Sequence, residues 1–130
     1  MSERDANTGG ARKRLGQWGE RVAALHLEAK GYSIMERNWR CERGEIDLVA
    51  RAGEIVLFVE VRTRRGRHLG TPEESITPRK AKKLLSLAAR YIAERNLSDV
   101  DWRVDLVAVE LDRRGKLVRC EHIPNAIRGW

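Results

Sequence analysis

Two short segments of the chain each carry an acidic residue within a run of apolar residues that favour β-strands. Segment 44–50 contains Asp47, and segment 56–62 contains Glu60 followed by Arg62. Burying a carboxylate costs several kcal/mol unless a cation or hydrogen-bond donors compensate for it. A divalent metal ion between the two acids would remove that cost, and Arg62 would add a second positive charge. The pattern therefore predicts a metal-dependent phosphodiesterase site.

Strand alternation indicates which of these side chains can meet, because residues two apart share a strand face. Glu45 then lies on the face of Asp47, and Arg62 lies on the face of Glu60. If the two faces coincide, both acids reach one Mg²⁺ or Mn²⁺ ion, which prefers oxygen ligands such as carboxylates, a backbone carbonyl and water. Such an ion polarises a phosphate oxygen and makes water more acidic. The residues alone leave one alternative open, namely solvent-facing acids that pair with Arg62 or Arg64.

Composition and charge narrow the class of partner. The chain has 130 residues, enough for a single domain, and carries a net charge of +7 with 35% charged residues. A domain this basic favours a polyanion such as nucleic acid, although charge can also serve solubility alone. No apolar run approaches a membrane span, and residues 1–14 lack the apolar core of a signal peptide. We therefore expect a cytoplasmic protein without a membrane partner.

Cysteine and histidine spacing argues against a zinc site. Cys41 and Cys120 form neither a metal-ligand pair nor a disulfide framework, and we expect reduced thiols. The histidines are scattered, without the close spacing of zinc ligands. They are His26, His68 and His122.

The remaining patterns predict one α/β domain at residues 14–123, between a disordered basic arm at 1–13 and a tail at 124–130. Thr77 and Pro78 are typical of a helix start, and the alternation of helix and strand signals favours a mixed sheet flanked by helices. The expected order is α-β-β-β-α-β-β. The segments are helices at 15–30 and 78–96 and strands at 32–40, 45–50, 54–62, 102–111 and 117–123.

The first helix has two candidate faces. Apolar spacing predicts a core-facing stripe, and a second face combines Glu20 with small residues. Glycines at 16 and 19 lower helix propensity, which a fold tolerates where another element approaches closely. The stripe comprises Leu15, Trp18, Val22, Leu25 and Ala29, and the second face comprises Gly16, Glu20, Ala23, Ala24 and Leu27.

Basic residues follow the second acidic segment, in a long connection at 63–77 and in the first turn of the second helix. Cations at a helix start oppose the helix dipole, and an anion docked there would offset them. We expect these residues to contact nucleic acid, the alternative being a solvated surface. They are Arg64, Arg65, Arg67, Arg79, Lys80 and Lys83.

Taken together, these motifs resemble the YraN family of small bacterial proteins. The resemblance rests on the runs GQWGE at 16–20, GEIDLVA at 44–50 and FVEVRTR at 58–64, and on ITP at 76–78 and RVD at 103–105. It spans about residues 11–111. The family is similar to PD-(D/E)xK nucleases and, within them, to archaeal Holliday-junction resolvases. The resemblance implies a restriction-endonuclease-like core with a central mixed five-stranded sheet.

The resemblance also implies roles for individual residues. Asp47 is the metal-binding aspartate, Glu60 is the second acid, and the backbone of Val61 completes the ligand set. Glu20 matches a helix glutamate that supports the metal site in resolvase-like members. Glu45 either supports the residues that bind the ion or is itself an alternative ligand.

Arg62 stands where the nuclease motif usually has lysine, and Ile46 replaces a proline before Asp47. Arginine stays protonated and binds phosphate through a planar fork, so it can orient and neutralise but cannot act as a base. Three functions follow as hypotheses. The first is a Mg²⁺- or Mn²⁺-dependent endonuclease acting on DNA, with branched DNA among its candidate substrates. The second is a catalytically silent nucleic-acid-binding protein. The third is an adaptor for an acidic protein. A homodimer would suit symmetric cutting of two strands.

Overall fold

The computed structural model describes residues 3–128, including the side chains of residues 10–128. Its elements are α1 (Glu3–Ala29), β1 (Ser33–Cys41), β2 (Gly44–Ala52), β3 (Ile55–Arg65), a short 3₁₀ helix (Glu73–Ser75), α2 (Pro78–Glu94), β4 (Asp101–Leu111) and β5 (Leu117–Ile127).

The five strands form one mixed sheet in the order β1-β2-β3-β4-β5. Neighbouring strands are antiparallel except β3 and β4, which run parallel because α2 crosses over between them. The α2 helix begins as the sequence predicts, since the side chain of Thr77 accepts a hydrogen bond from the Lys80 amide at 3.2 Å and Pro78 occupies the first turn. The predicted α/β class and element order are therefore confirmed.

The α2 face of the sheet carries an aromatic core. Tyr91 of α2 makes edge-on contacts with Phe58 and Trp39, each with ring centroids 5.4 Å apart. Phe58 makes a third such contact with Trp102, at 5.7 Å. Edge-on aromatic pairs at this separation contribute about 0.5–1.5 kcal/mol beyond area burial. This core fixes α2 against the middle of β3, just before the strand reaches Glu60.

The α1 face of the sheet is packed with small residues. Ala23, Ala24 and Leu27 are fully buried against the sheet. A Cβ atom on Gly19 would overlap Thr63 Oγ1, whereas one on Gly16 would meet nothing within 4 Å. The close approach expected for the helix glycines therefore holds at Gly19 alone, where it brings α1 directly onto β3.

The predicted core stripe of the first helix is partly wrong. Leu25 is 68% exposed and Ala29 is also exposed, whereas Trp18 and Val22 are only partly buried. The face that packs on the sheet is the one that carries Glu20. This face is buried because its small side chains let the helix backbone pack close to the strands. Hydrophobic spacing alone does not reveal such close packing.

The boundaries at both ends also differ from the expectation. Residues 3–13, expected as a disordered arm, lie in α1 despite two consecutive glycines of low helix propensity, because they extend a helix that is already nucleated. Residues 124–127, expected in the tail, continue β5, and Ile127 is 2% exposed. The extended part of β5 pairs with β4 after a register shift between Val104 and Leu106. Asn125, within it, has a positive φ of 52°. Residues 1–2 and 129–130 lie outside the described residues.

No helix in the described part of the chain is long and apolar enough to cross a membrane.

Candidate functional site

The candidate site lies where β2 and β3 part. Their backbone pairing runs from Ala52 opposite Ile55 to Leu48 opposite Val59. Beyond that point the Val61 amide donates a hydrogen bond to Asp47 Oδ2 at 2.8 Å. The carboxylate thus replaces a backbone carbonyl of β2 as the acceptor for the Val61 amide. On its other side, β3 remains paired with β4. The gap between the strands opens beside a buried acid.

The backbone of β2 is irregular around Asp47. Ile46 packs on the α2 side of the sheet, and Leu48, two residues later, packs on the α1 side. Regular alternation would put both on one face. The irregularity turns the Asp47 carboxylate towards β3, where it meets the Val61 amide.

Glu60 lies beside Asp47 and is paired with Arg62. Arg62 Nη2 is 2.9 Å from Glu60 Oε2, and the Glu60 side chain is only 11% exposed. The alternative that the sequence left open, a solvent-facing acid paired with arginine, is therefore half right for Glu60. The acid is paired with Arg62, but it is buried. Burial raises the pKa of Glu60, and the negative charge of Asp47 and a hydrogen bond with it raise that pKa further. The positive charges of Arg62 and Lys80 oppose the shift.

The pKa of Asp47 is also raised, chiefly by burial. The hydrogen bonds from Glu60 and from the Val61 amide oppose this increase, since they favour the charged carboxylate. The two carboxyl groups therefore compete for charge in one buried space, which is the electrostatic situation that a cation would relieve.

Glu20 reaches the same place from α1. Its pKa is raised from 4.5 to about 7 by partial burial first, then by the charges of Asp47 and Glu45, and by a hydrogen bond with Asp47. Glu45 is itself paired with Arg40 at 3.0 Å and is largely exposed. Three elements, α1, β2 and β3, thus contribute carboxyl groups to one site.

A cleft of about 840 Å³ opens over these acids between α2 and the first three strands. Asp47, Glu60, Glu45 and Glu42 line it, and so do Val61 and five basic side chains, whereas Glu20 is not part of the lining. The positive charges at this wall would attract an anionic ligand towards the acids. The basic residues are Arg40, Arg43, Arg62, Lys80 and Lys83.

The other predicted basic residues lie outside this cleft. Arg79 is exposed on α2. Arg65 faces a separate pocket with Trp18, on the α1 side of the sheet. Arg67 is bound to Glu110 through two hydrogen bonds of 2.8 and 2.9 Å. Arg64 follows Arg62 on β3 and is partly buried.

Two basic residues of the cleft were missed by sequence reasoning. Arg40 and Arg43 flank the β1–β2 turn, and the hairpin carries them to the rim beside Glu45. The run RCERGE at 40–45 was the only signal, and its charges are of mixed sign.

A hard cation matches the chemistry of the donors at this site, which are carboxylate oxygens and backbone rather than sulfur or imidazole. Among the residues whose side chains are described, no group of three or more His, Cys, Asp or Glu could hold a metal ion as it stands. Asp47 and Glu60 together could hold an ion that keeps several waters, as Mg²⁺ commonly does.

Comparison with known proteins places this chain within one family. The model of "Uncharacterised protein family UPF0102" matches residues 19–109, a range that contains Glu20, Asp47 and Glu60. A UPF0102 protein of Roseiflexus castenholzii is 49% identical over 119 residues, which cover 91% of this chain and 96% of that protein. A UPF0102 protein of Moorella thermoacetica is 49% identical over 115 residues, covering 88% and 96%. UPF0102 is the YraN family, so these matches confirm the family resemblance drawn from the motifs.

Proposed function

The chain belongs to the uncharacterised protein family UPF0102, and we propose that it is a metal-dependent endonuclease that hydrolyses phosphodiester bonds of DNA. The observation that carries the proposal is the strand fork, the point where β2 and β3 separate. Asp47 and Glu60 lie there in a cleft with five basic side chains, and Glu20 of α1 reaches Asp47. Acids held at a cost to stability are typical of functional sites.

Mg²⁺ or Mn²⁺ would be held by Asp47 and Glu60, with Glu20 and the Val61 backbone beside them. When bound, such an ion neutralises phosphate charge and makes water a better nucleophile near neutral pH. Arg62 then serves as the fixed positive charge at the reacting phosphate, because its guanidinium can donate two hydrogen bonds to a phosphoryl group. Lys80 and Lys83 line the cleft wall on α2 and would hold the flanking backbone of the strand.

The test is cleavage of a labelled four-way junction and of a matched linear duplex in Mg²⁺, in Mn²⁺ and in EDTA. We expect cleavage that requires metal and is abolished by Asp47→Asn, a variant that retains an oxygen for the Val61 amide. Glu54→Gln is the matched control, since Glu54 is exposed in the β2–β3 turn. Equal cleavage by wild type and Asp47→Asn would overturn the assignment, and comparison of the two substrates tests a preference for branched DNA.

A second candidate is a nucleic-acid-binding protein that does not cleave. The ion pair of Arg62 with Glu60 favours it, because a guanidinium that cannot lose its proton already neutralises the second acid. Salt-sensitive binding without cleavage in any metal would support this candidate. Arg62→Lys then tests whether the arginine is the cause, since restored cleavage would show that the remaining site is competent.

A further inference from the structure

Arg64 is a partly buried cation without an acidic partner among the described residues. Its Nε atom is buried and has no hydrogen-bond partner among the described residues, and Nη1 makes only a long 3.5 Å contact with the Thr63 carbonyl. No acid in the described part of the chain forms an ion pair with it, although Arg62, Arg67 and Arg119 each have one. Burying a charge without a partner opposes folding.

Glu110, the acid opposite Arg64 on β4, already forms ion pairs with other arginines. Arg64 lies directly opposite Glu110 in the parallel β3–β4 pair, so the two side chains share a sheet face. Glu110 is 3% exposed, and both of its oxygens are taken by Arg67, at 2.8 and 2.9 Å. Arg119 Nε lies 2.6 Å from one of them as well. Two other arginines thus saturate the nearest carboxylate.

The position of Arg64 relates it to the candidate site. Thr63 contacts α1 and Arg65 lines a pocket on the α1 side, so Arg64 lies on the opposite face with Glu60 and Arg62. Residues two apart on a strand are separated by roughly 7 Å. Glu60, Arg62 and Arg64 therefore form a line that leads from the acids along β3.

We infer that Arg64 is a binding site for a second phosphate, next to the one at the acid pair. A guanidinium suits this ligand, since its planar fork matches two phosphate oxygens. The spacing along β3 is comparable to that of consecutive phosphates in a nucleic-acid strand. The substrate class is therefore a polynucleotide whose backbone follows β3, rather than a mononucleotide. The inference rests on the proposed function only in assigning the first phosphate to the acid pair.

The test measures binding of a labelled DNA duplex in EDTA over a series of KCl concentrations, so that hydrolysis plays no part. For duplex DNA the slope of log K against log salt is about −0.9 per neutralised phosphate. We expect Arg64→Met to make the slope shallower by about 0.9, whereas Arg64→Lys keeps the slope and weakens binding less. Arg21→Met is the matched control, because it removes the same charge from an exposed position on α1, on the other face of the sheet.

Urea denaturation separates a binding role from a structural one. An arginine that lacks a partner can be replaced without loss, so we expect Arg64→Met to be at least as stable as wild type. A destabilised Arg64→Met protein with an unchanged salt slope would overturn the inference, as would wild-type binding that ignores salt. The proposed function fails separately. If no metal supports cleavage but Arg64→Met still makes the salt slope shallower, the phosphate site at Arg64 is supported and the proposed hydrolysis is refuted.

Discussion

Glu20 offers the sharpest test of the acid cluster that is independent of catalysis. Replacing it by glutamine keeps the shape of the side chain and removes its charge. Its pKa is raised from 4.5 to about 7 in the folded protein. The folded state therefore holds the Glu20 proton more tightly than the unfolded state, and wild-type stability falls as pH rises from about 4.5 to about 7.

The size of the effect follows from the same increase. One pKa unit corresponds to about 1.4 kcal/mol, which places an upper bound of about 3 kcal/mol on the effect of the increase from 4.5 to about 7. Glu20 is only partly buried and water screens its charge, so we expect about 1–2 kcal/mol. Glu20→Gln should equal wild type in stability below pH 4.5 and exceed it by this amount above pH 7.

The measurement is urea denaturation of both proteins in EDTA, at pH values from about 4 to about 8. Glu54→Gln serves as the control, because Glu54 is exposed and forms no ion pair among the described residues. It measures the effect of removing one acidic charge from the surface, which is subtracted from the effect of Glu20→Gln. Identical pH profiles for Glu20→Gln and wild type would refute the reasoning, since Glu20 would then be an ordinary solvated acid.

Two further predictions concern the strand fork and the close approach of α1. Asp47→Ala should lower the free energy of unfolding by about 1–3 kcal/mol, because it leaves the Val61 amide without an acceptor. Asp47→Asn keeps an oxygen there and should lower that free energy less. Equal losses for the two variants in urea denaturation would contradict the role of the hydrogen bond. Gly19→Ala should destabilise the protein by about 1–3 kcal/mol because its methyl group would overlap Thr63, as thermal denaturation would show. Gly16→Ala, in open space on the same helix, should be neutral or stabilising by up to about 1 kcal/mol, and similar losses for both glycines would count against the packing account.

The mixed sheet and the order of the elements along the chain could be predicted because they depend on local signals. Apolar runs, turn glycines and the Thr77–Pro78 start mark the elements, and alternating helix and strand signals leave few topologies. The face of α1 could not be read in this way. Hydrophobic spacing predicted that Leu25 faces the core. The buried face instead carries alanines and Gly19, because the backbone of α1 lies directly against β3.

The residue types of the candidate site could be read from the sequence, but their geometry could not. Acids within β-favouring runs indicated Asp47 and Glu60 because such burial requires compensation. Strict alternation on β2 did not anticipate the irregularity between Ile46 and Leu48, which turns Asp47 towards the Val61 amide. Long-range ion pairs such as that of Arg67 with Glu110, 43 residues apart, leave no trace in local sequence.

The hydrogen bond from Val61 to Asp47 Oδ2 has a consequence for how related sequences should be interpreted. Asp47 supports the sheet whether or not the protein cleaves anything, so a relative that had lost hydrolysis would still be under pressure to keep it. Among the described residues, Glu60 and Glu20 accept no such backbone hydrogen bond, and burial raises the pKa of each. Retention of those two glutamates, rather than of the aspartate, would therefore be the informative sign that a relative has kept the proposed hydrolysis.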